Sequence, residues 1–212
     1  MGQSTRLAVD PLAPGLPELG RAADAVLAGR VVAYPTDTLY GLAVDPRQTG
    51  AVRRLFALKA RTPDRALPLV AADVAQVLAT LGPLTDAERR LADACWPGPL
   101  AIVMRTEAPL ARAVTGRAGT IAVRVPAHAV ARELARAVGH PVTATSANRS
   151  GREACATAAD VWAALGESIA LLLDAGPTPG GAPSTIVRLE PDGPRLLRAG
   201  AVPFARVLEL LQ

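Results

Sequence analysis

Residues 31–70 read VVAYPTDTLYGLAVDPRQTGAVRRLFALKARTPDRALPLV, and the fold class follows from this stretch. Arg30 to Tyr34 is a short apolar run of β type, ended by Pro35. A hydroxyl-rich turn, Pro35 to Tyr40, comes next. Thr36 and Thr38 lie two apart, so in an extended chain both hydroxyls face one side. Thr49 to Lys59 places Val52, Leu55 and Phe56 at helical spacing, and Leu67 to Val70 is a second β-type run. Lys59, Arg61 and Arg65 stand between that helix and that run. The chain carries 23 basic residues, and Lys59 is the single lysine among them. An ammonium is compact where a guanidinium is planar and forked. The lone lysine either marks a position that needs the smaller cation or is a chance remnant of an arginine-rich composition.

The same alternation of strand and helix continues on both sides. Residues 1–15 read as an irregular lead-in. Pro17 to Ala28 repeats Leu19, Ala22, Ala23, Val26 and Leu27 at helical spacing, with Gly29 as the C-cap. Thr85 and Glu88 form a capping box that opens a helix toward Trp96. WPGPLAIVMR (96–105) gives a Pro-Gly turn and a strand. Thr120 to Val125 is a strand ended by Pro126, and Ala127 to Val138 is a helix closed by Gly139. PVTAT (141–145) is a strand that runs into Ser146, Ala147 and Asn148. Thr157 caps a helix reaching Leu165. Ile169 to Asp174, Ser184 to Leu189 and Arg195 to Arg198 are strands, and Pro203 to Leu211 is a last helix. With no linker or repeat, this is a single α/β domain, a twisted mixed β-sheet flanked by helices.

A chain of 212 residues buries about 70% of its unfolded surface. Half of the residues are hydrophobic but only 3% are aromatic, so the core is expected to be mostly Ala, Val and Leu. The same scarcity argues against a base-stacking face for single-stranded nucleic acid. The net charge of +4 and the pI near 9.8 fit either an anionic partner (nucleotide, RNA, phosphate) or a solvated basic surface. No apolar run approaches the roughly 20 residues of a membrane span, and no secretory h-region opens the chain. A cytoplasmic location and no membrane partner are expected. Cys95 and Cys155 lack metal-ligand spacing and read as buried thiols.

No phosphate-binding GxxxxGK, dinucleotide GxGxxG or HExxH motif occurs, and His128 and His140 are far apart. Neither metal-ligating residues nor a Ser-His-Asp triad is legible. Without an evident general base, positioning and charge neutralisation are the expected chemistry, as in phosphoryl and nucleotidyl transfer. Three polar loops follow strands: Pro35–Tyr40, Thr145–Asn148 and Pro179–Ser184. Small residues in the second let backbone N–H groups approach an anion. Ligands of open α/β sheets favour such strand-end crevices.

YPTDTLYGL, Lys59-x-Arg61, WPGPL, AVRVP, TSAN-x-SG, PSTIV and LLRAG, in this order and spacing, resemble the YrdC-like family. Within it the chain looks like the threonylcarbamoyl-AMP synthases, in a single-domain form without the extra C-terminal domain of longer relatives. The resemblance places the YrdC-like domain at residues 10–205, behind a lead-in of residues 1–9, and implies a basic concave face on the sheet. It also implies a reaction: L-threonine, bicarbonate and ATP give threonylcarbamoyl-AMP and pyrophosphate, the first step of threonylcarbamoyl-adenosine formation in tRNA. The catalytic set carried over is Lys59, Arg61, Ser146 and Asn148, the quartet that separates synthases from the YciO branch. Threonine is expected at Thr38, Arg124, the backbone of Ala144, and Ser184. ATP is expected at Arg61, Arg65, Thr120, Ser146 and Arg198. Arg65 stands where relatives commonly have Lys or Asn, and Ala154 where they often have a serine. Magnesium is expected through the phosphates, with tRNA and a downstream threonylcarbamoyl-transferase machinery as partners. Closure over the nucleotide is expected to rely on means other than a second domain. Two rivals remain. One is a non-catalytic RNA-binding YrdC-like domain, whose binding weakens steeply with salt. The other is a carbamoyl-transfer domain like that of hydrogenase-maturation carbamoyltransferases, whose zinc-finger and acylphosphatase modules this sequence does not show.

Overall fold

The computed structural model describes residues 4–60, 66–115 and 119–212. In chain order its elements are β1 (Thr5–Ala8), α1 (Leu16–Leu27), β2 (Val32–Tyr34), β3 (Gly41–Ala43), α2 (Thr49–Lys59), β4 (Leu69–Val70) and α3 (Val74–Leu81). Then follow α4 (Asp86–Cys95), β5 (Leu100–Arg105), α5 (Arg112–Thr115), β6 (Thr120–Arg124), α6 (Ala129–Val138), β7 (Val142–Thr143) and β8 (Thr145–Ser146). The chain closes with α7 (Ala158–Leu165), β9 (Leu171–Asp174), β10 (Thr185–Glu190), β11 (Gly193–Arg198) and α8 (Phe204–Leu211). The mixed α/β class expected from sequence is what forms, with the strands divided between two sheets. One has the order β1-β9-β2-β3-β8, the other β11-β10-β5-β6-β4-β7. Both mix parallel and antiparallel pairs: β2 runs parallel to β9 and antiparallel to β3, while β5 runs parallel to β10 and antiparallel to β6.

The division explains the PVTATS segment. β7 belongs to the second sheet and β8 to the first, so the chain crosses between sheets at Ala144. Its N–H donates to the Pro68 carbonyl at 2.8 Å.

Period-two alternation decides what each sheet face meets. Val32, Tyr34, Leu171 and Leu173 face α1 and α6, packing on Leu19, Ala22, Val26, Val130 and Leu134. Ala33 and Leu172 point the other way, into the main core with Val52, Leu55 and Phe56 of α2. A sheet covered on both faces needs apolar residues at successive positions, which is why VVAY and LLL read as continuous runs. In the second sheet Leu100, Ile102, Met104, Ile121, Val123 and Val187 enter the main core. Their neighbours Ala101, Val103, Ala122, Arg124 and Ile186 face a cavity.

The helix signals hold locally. Thr85 and Glu88 make the reciprocal capping box, and the Thr157 hydroxyl accepts from Asp160 N at 3.1 Å. Gly29 and Gly139 end their helices at φ 70° and 84°, in the left-handed region that glycine adopts without a Cβ penalty. The lead-in departs from expectation. Residues 5–8 form β1, parallel to β9, with Leu7 packed beside the α1–α6 core and Arg6 paired with Asp174 at 2.8 Å. β3, α3 and α5 are further elements beyond those expected from sequence. Among the described residues no helix is long and apolar enough to cross a membrane.

Candidate active site

Between the sheets lies an open cavity of about 1380 Å³. Thr38, Lys59, Thr120, Arg124, Ala144, Ser146, Asn148, Ser184 and Arg198 all line it, and so does Ala154. These come from six separate parts of the chain, and the fold brings them to one wall system. Arg61 and Arg65 lie outside the described residues.

Lys59 is the last residue of α2 and is only 3% exposed. The helix ends there because Ala60 turns into the left-handed region at φ 49°, a conformation that costs a non-glycine residue about 1–2 kcal/mol. The turn sends the Lys59 side chain across to the 145–152 loop. Its Nζ donates to Ser146 O at 2.5 Å and to Asn148 O and Oδ1 at 2.9 Å each. Asn148 Oδ1 also accepts from Ser146 Oγ at 2.6 Å, and Asn148 Nδ2 donates to the Arg152 carbonyl. Ser150 N closes the loop onto Lys59 O at 3.0 Å. Three members of the sequence quartet thus form one hydrogen-bonded cluster. Oxygens converging on one nitrogen suit a tetrahedral ammonium and not a flat guanidinium.

The Pro35–Tyr40 turn divides its work among three residues. The buried Thr36 hydroxyl accepts from Thr38 N (3.2 Å) and Leu39 N (3.3 Å), and it donates to Leu39 O (2.7 Å). That builds the turn and leaves the Thr36 and Thr38 hydroxyls 3.1 Å apart. Thr38 lines the cavity. Asp37 points away from it and accepts a short ion-paired hydrogen bond from Arg124 Nη1. Sequence reading passed over Asp37; a lone carboxylate between two threonines was the signal it offered. Arg124, the last residue of β6, is buried and holds Nη2 3.5 Å from Thr38 Oγ1.

On the far side, Arg198 Nε and Nη2 donate to Ser184 O (2.9 Å) and Ser184 Oγ (2.8 Å). Sequence reading put Ser184 with threonine and Arg198 with ATP, and here they touch. The contact depends on Gly200, also missed. A Cβ there would lie 2.2 Å from Pro183 O and 2.5 Å from the Ser184 carbonyl carbon. Only glycine lets the 198–200 backbone run against 183–185, where Ala201 N donates to Pro183 O at 2.9 Å. Burial and the neighbouring Arg124 guanidinium both pull the Arg198 pKa below its ordinary value. Lys59, Arg124 and Arg198 put three cations on one cavity, which favours an anionic ligand.

Among the described residues no group of three or more His, Cys, Asp or Glu is gathered as metal ligands. Cys95 and Cys155 are free thiols, and burial pushes both pKa values up, away from thiolate chemistry. His128 is the N-cap of α6, and His140 sits beside Asp45. Neither lines the cavity.

Residues 24–200 match the model of the Sua5_yciO_yrdC family, described as telomere recombination. The chain is 35% identical over 194 residues to the threonylcarbamoyl-AMP synthase of Bacillus subtilis (strain 168), covering 91% of this chain and 56% of that one. It is 38% identical over 194 residues to the putative threonylcarbamoyl-AMP synthase of Mycobacterium leprae (strain TN), covering 91% and 87%. In structure it is similar to P. abyssi Sua5 complexed with L-threonine, with a TM-score of 0.92, 31% identity, and 98% and 61% of the two chains covered. The chain therefore spans a little over half the length of some relatives and most of the length of others. With the family model matched over most of its length and the fold shared throughout, the chain belongs to the Sua5_yciO_yrdC family.

Proposed function

We propose that this chain is a threonylcarbamoyl-AMP synthase, a nucleotidyltransferase that joins L-threonine, bicarbonate and ATP and releases pyrophosphate. The observation that carries this reading is the single cavity that the Lys59–Ser146–Asn148 cluster and the Arg124–Ser184–Arg198 group line together. Its volume suits an amino acid and a nucleotide side by side. The names of the relatives and the threonine complex of P. abyssi Sua5 support the substrate class.

In this reading Arg124 and Thr38 hold the amino acid's carboxylate, with the Ala144 backbone and Ser184 beside it. The threonine amine and bicarbonate form a carbamate with loss of water, and a carbamate oxygen attacks the α-phosphate as the bond to pyrophosphate breaks. Two anions must approach, so Lys59, Arg61 and Arg198 offset their repulsion and the charge growing on the leaving group. The Lys59 ammonium also fixes Ser146 and Asn148, so that the loop meets the nucleotide pre-formed. Thr120 and Arg65 complete the nucleotide side. Magnesium arrives on the triphosphate as part of the substrate. The domain, which includes β1 ahead of the expected start at residue 10, acts in the cytoplasm, upstream of a transferase machinery that delivers the product to tRNA.

The test is pyrophosphate release from the purified chain. Release that needs ATP, threonine and bicarbonate together sustains the reading. Release indifferent to threonine indicates a plain ATPase, and salt-sensitive RNA binding without release favours a non-catalytic RNA-binding module.

A further inference from the structure

Asp37 is the only charged residue of the Pro35–Tyr40 turn, yet it does not line the cavity. Its carboxylate reaches behind the wall. One oxygen accepts from Arg124 Nη1 and the other from Ala127 N at 3.0 Å. The Arg124 and Asp37 side chains are 6% and 9% exposed, so the pair is largely removed from solvent. Arg124 itself does line the cavity, with Nη2 directed to Thr38 Oγ1. The guanidinium is therefore gripped at one amino group from behind, while the other stands at the cavity surface.

We propose that Asp37 is a positioning residue for the carboxylate of the amino-acid substrate. It fixes the plane of Arg124 so that the Nη2 edge meets that carboxylate without first having to be ordered. The inference rests on the reading of Arg124 as the carboxylate's partner, and it adds a residue that touches no substrate.

Two physical effects of Asp37 have opposite signs. As an anchor it removes rotamer freedom that binding would otherwise have to freeze out, and so strengthens carboxylate binding. As a nearby negative charge it repels a carboxylate and weakens binding. Burial, short contact and the second anchor at Ala127 favour the first effect. A substitution that removes the charge and keeps the shape, Asp37→Asn, therefore has a diagnostic sign.

The experiment measures KM for threonine and for ATP, kcat and melting temperature in the full chain and in Asp37→Asn. Threonine KM is expected to rise about tenfold, the equivalent of one weakened charge-assisted hydrogen bond. ATP KM should hold, and kcat at saturating threonine should be retained. In an Arg124→Lys background, Asp37→Asn should add nothing further to threonine KM, because the group it positions is gone. An unchanged or lowered threonine KM overturns the proposal. So does a parallel rise in both KM values with a fallen melting temperature, which marks a merely structural role. If the unaltered chain releases no pyrophosphate, the parent reading fails on its own. Calorimetric titration with threonine then decides the role of Asp37: weaker binding to Asp37→Asn sustains it, and equal or absent binding overturns it.

Discussion

Lys59→Arg keeps the charge and changes only the shape of the cation. The residue is 3% exposed, and its Nζ sits within 2.9 Å of Ser146 O, Asn148 O and Asn148 Oδ1. A guanidinium presents its donors in one plane and cannot meet acceptors arranged around a point. Forcing the larger head into a filled seat costs about 1–3 kcal/mol. For a domain of this size each kcal/mol moves Tm by about 2–4 °C, so a fall of roughly 2–12 °C is expected. The strain falls on the Ser146–Asn148 loop, and a misplacement near 1 Å at a reacting centre costs about 10²-fold in rate. Lys59→Met separates the two effects. Ser146 O keeps the Asn148 N–H at 3.0 Å, and Asn148 Oδ1 keeps Ser146 Oγ at 2.6 Å. The Asn148 carbonyl loses its ammonium partner, at about 1–3 kcal/mol, and the relieved desolvation of a buried ammonium offsets that. Its stability should change little while activity collapses. Calorimetric melting and pyrophosphate release read both quantities. A Lys59→Arg protein with the Tm and the activity of the unaltered chain would refute the reasoning and make the lone lysine an accident of composition.

Arg124→Ala should raise the threonine requirement by about 10- to 150-fold, the loss of a charge-assisted partner for a carboxylate; ATP dependence changing in its place would misplace the amino acid. Gly200→Ala should destabilise by about 1–3 kcal/mol or more, since its Cβ meets backbone and not a flexible side-chain end; a Tm equal to that of the unaltered chain would show that the 198–200 segment yields freely. Serine should be turned over less well than threonine by about 1–3 kcal/mol, the value of one methyl in an apolar pocket, and equal kcat/KM would argue against a fitted pocket. Burial holds the His128 and His140 imidazoles below their ordinary pKa of 6.5. The unfolded chain then binds those protons first, so stability should fall as pH drops through 6.5 toward the folded values. His140→Gln should flatten that decline, and an unaltered pH–Tm curve would assign it elsewhere.

What the sequence made legible was mostly local. The α2 boundaries, the Thr85–Glu88 capping box and the Gly139 stop are written in neighbouring residues, and the structure reproduces them. β1 was hidden because its partner β9 lies far along the chain and four residues carry little periodicity. β3 begins with Gly41, which reads as loop; in the sheet that glycine lies under the Tyr34 ring, 3.3 Å from where a Cβ would stand. α3 carries apolar residues nearly all round, which blurs helical spacing. The second sheet was not legible, because the crossing at Ala144 occurs within a run of strand formers. At the site, family resemblance and not spacing supplied the residues, and nine of them proved to share a cavity. It could not supply how they touch. The Asp37–Arg124 pair joins a turn to a strand end, and the register shift between Ile186 and Val187 sets Arg198 opposite the cavity-facing Ile186.

The most direct measurement follows carbon from labelled bicarbonate. The chain is incubated with ATP, threonine and the label, and the nucleotide product is separated and weighed by mass spectrometry. Label should appear in an adenylate that also contains threonine, in one-to-one ratio with pyrophosphate, and should vanish with Lys59→Met. Pyrophosphate formed with no label in any adenylate would contradict the proposed reaction.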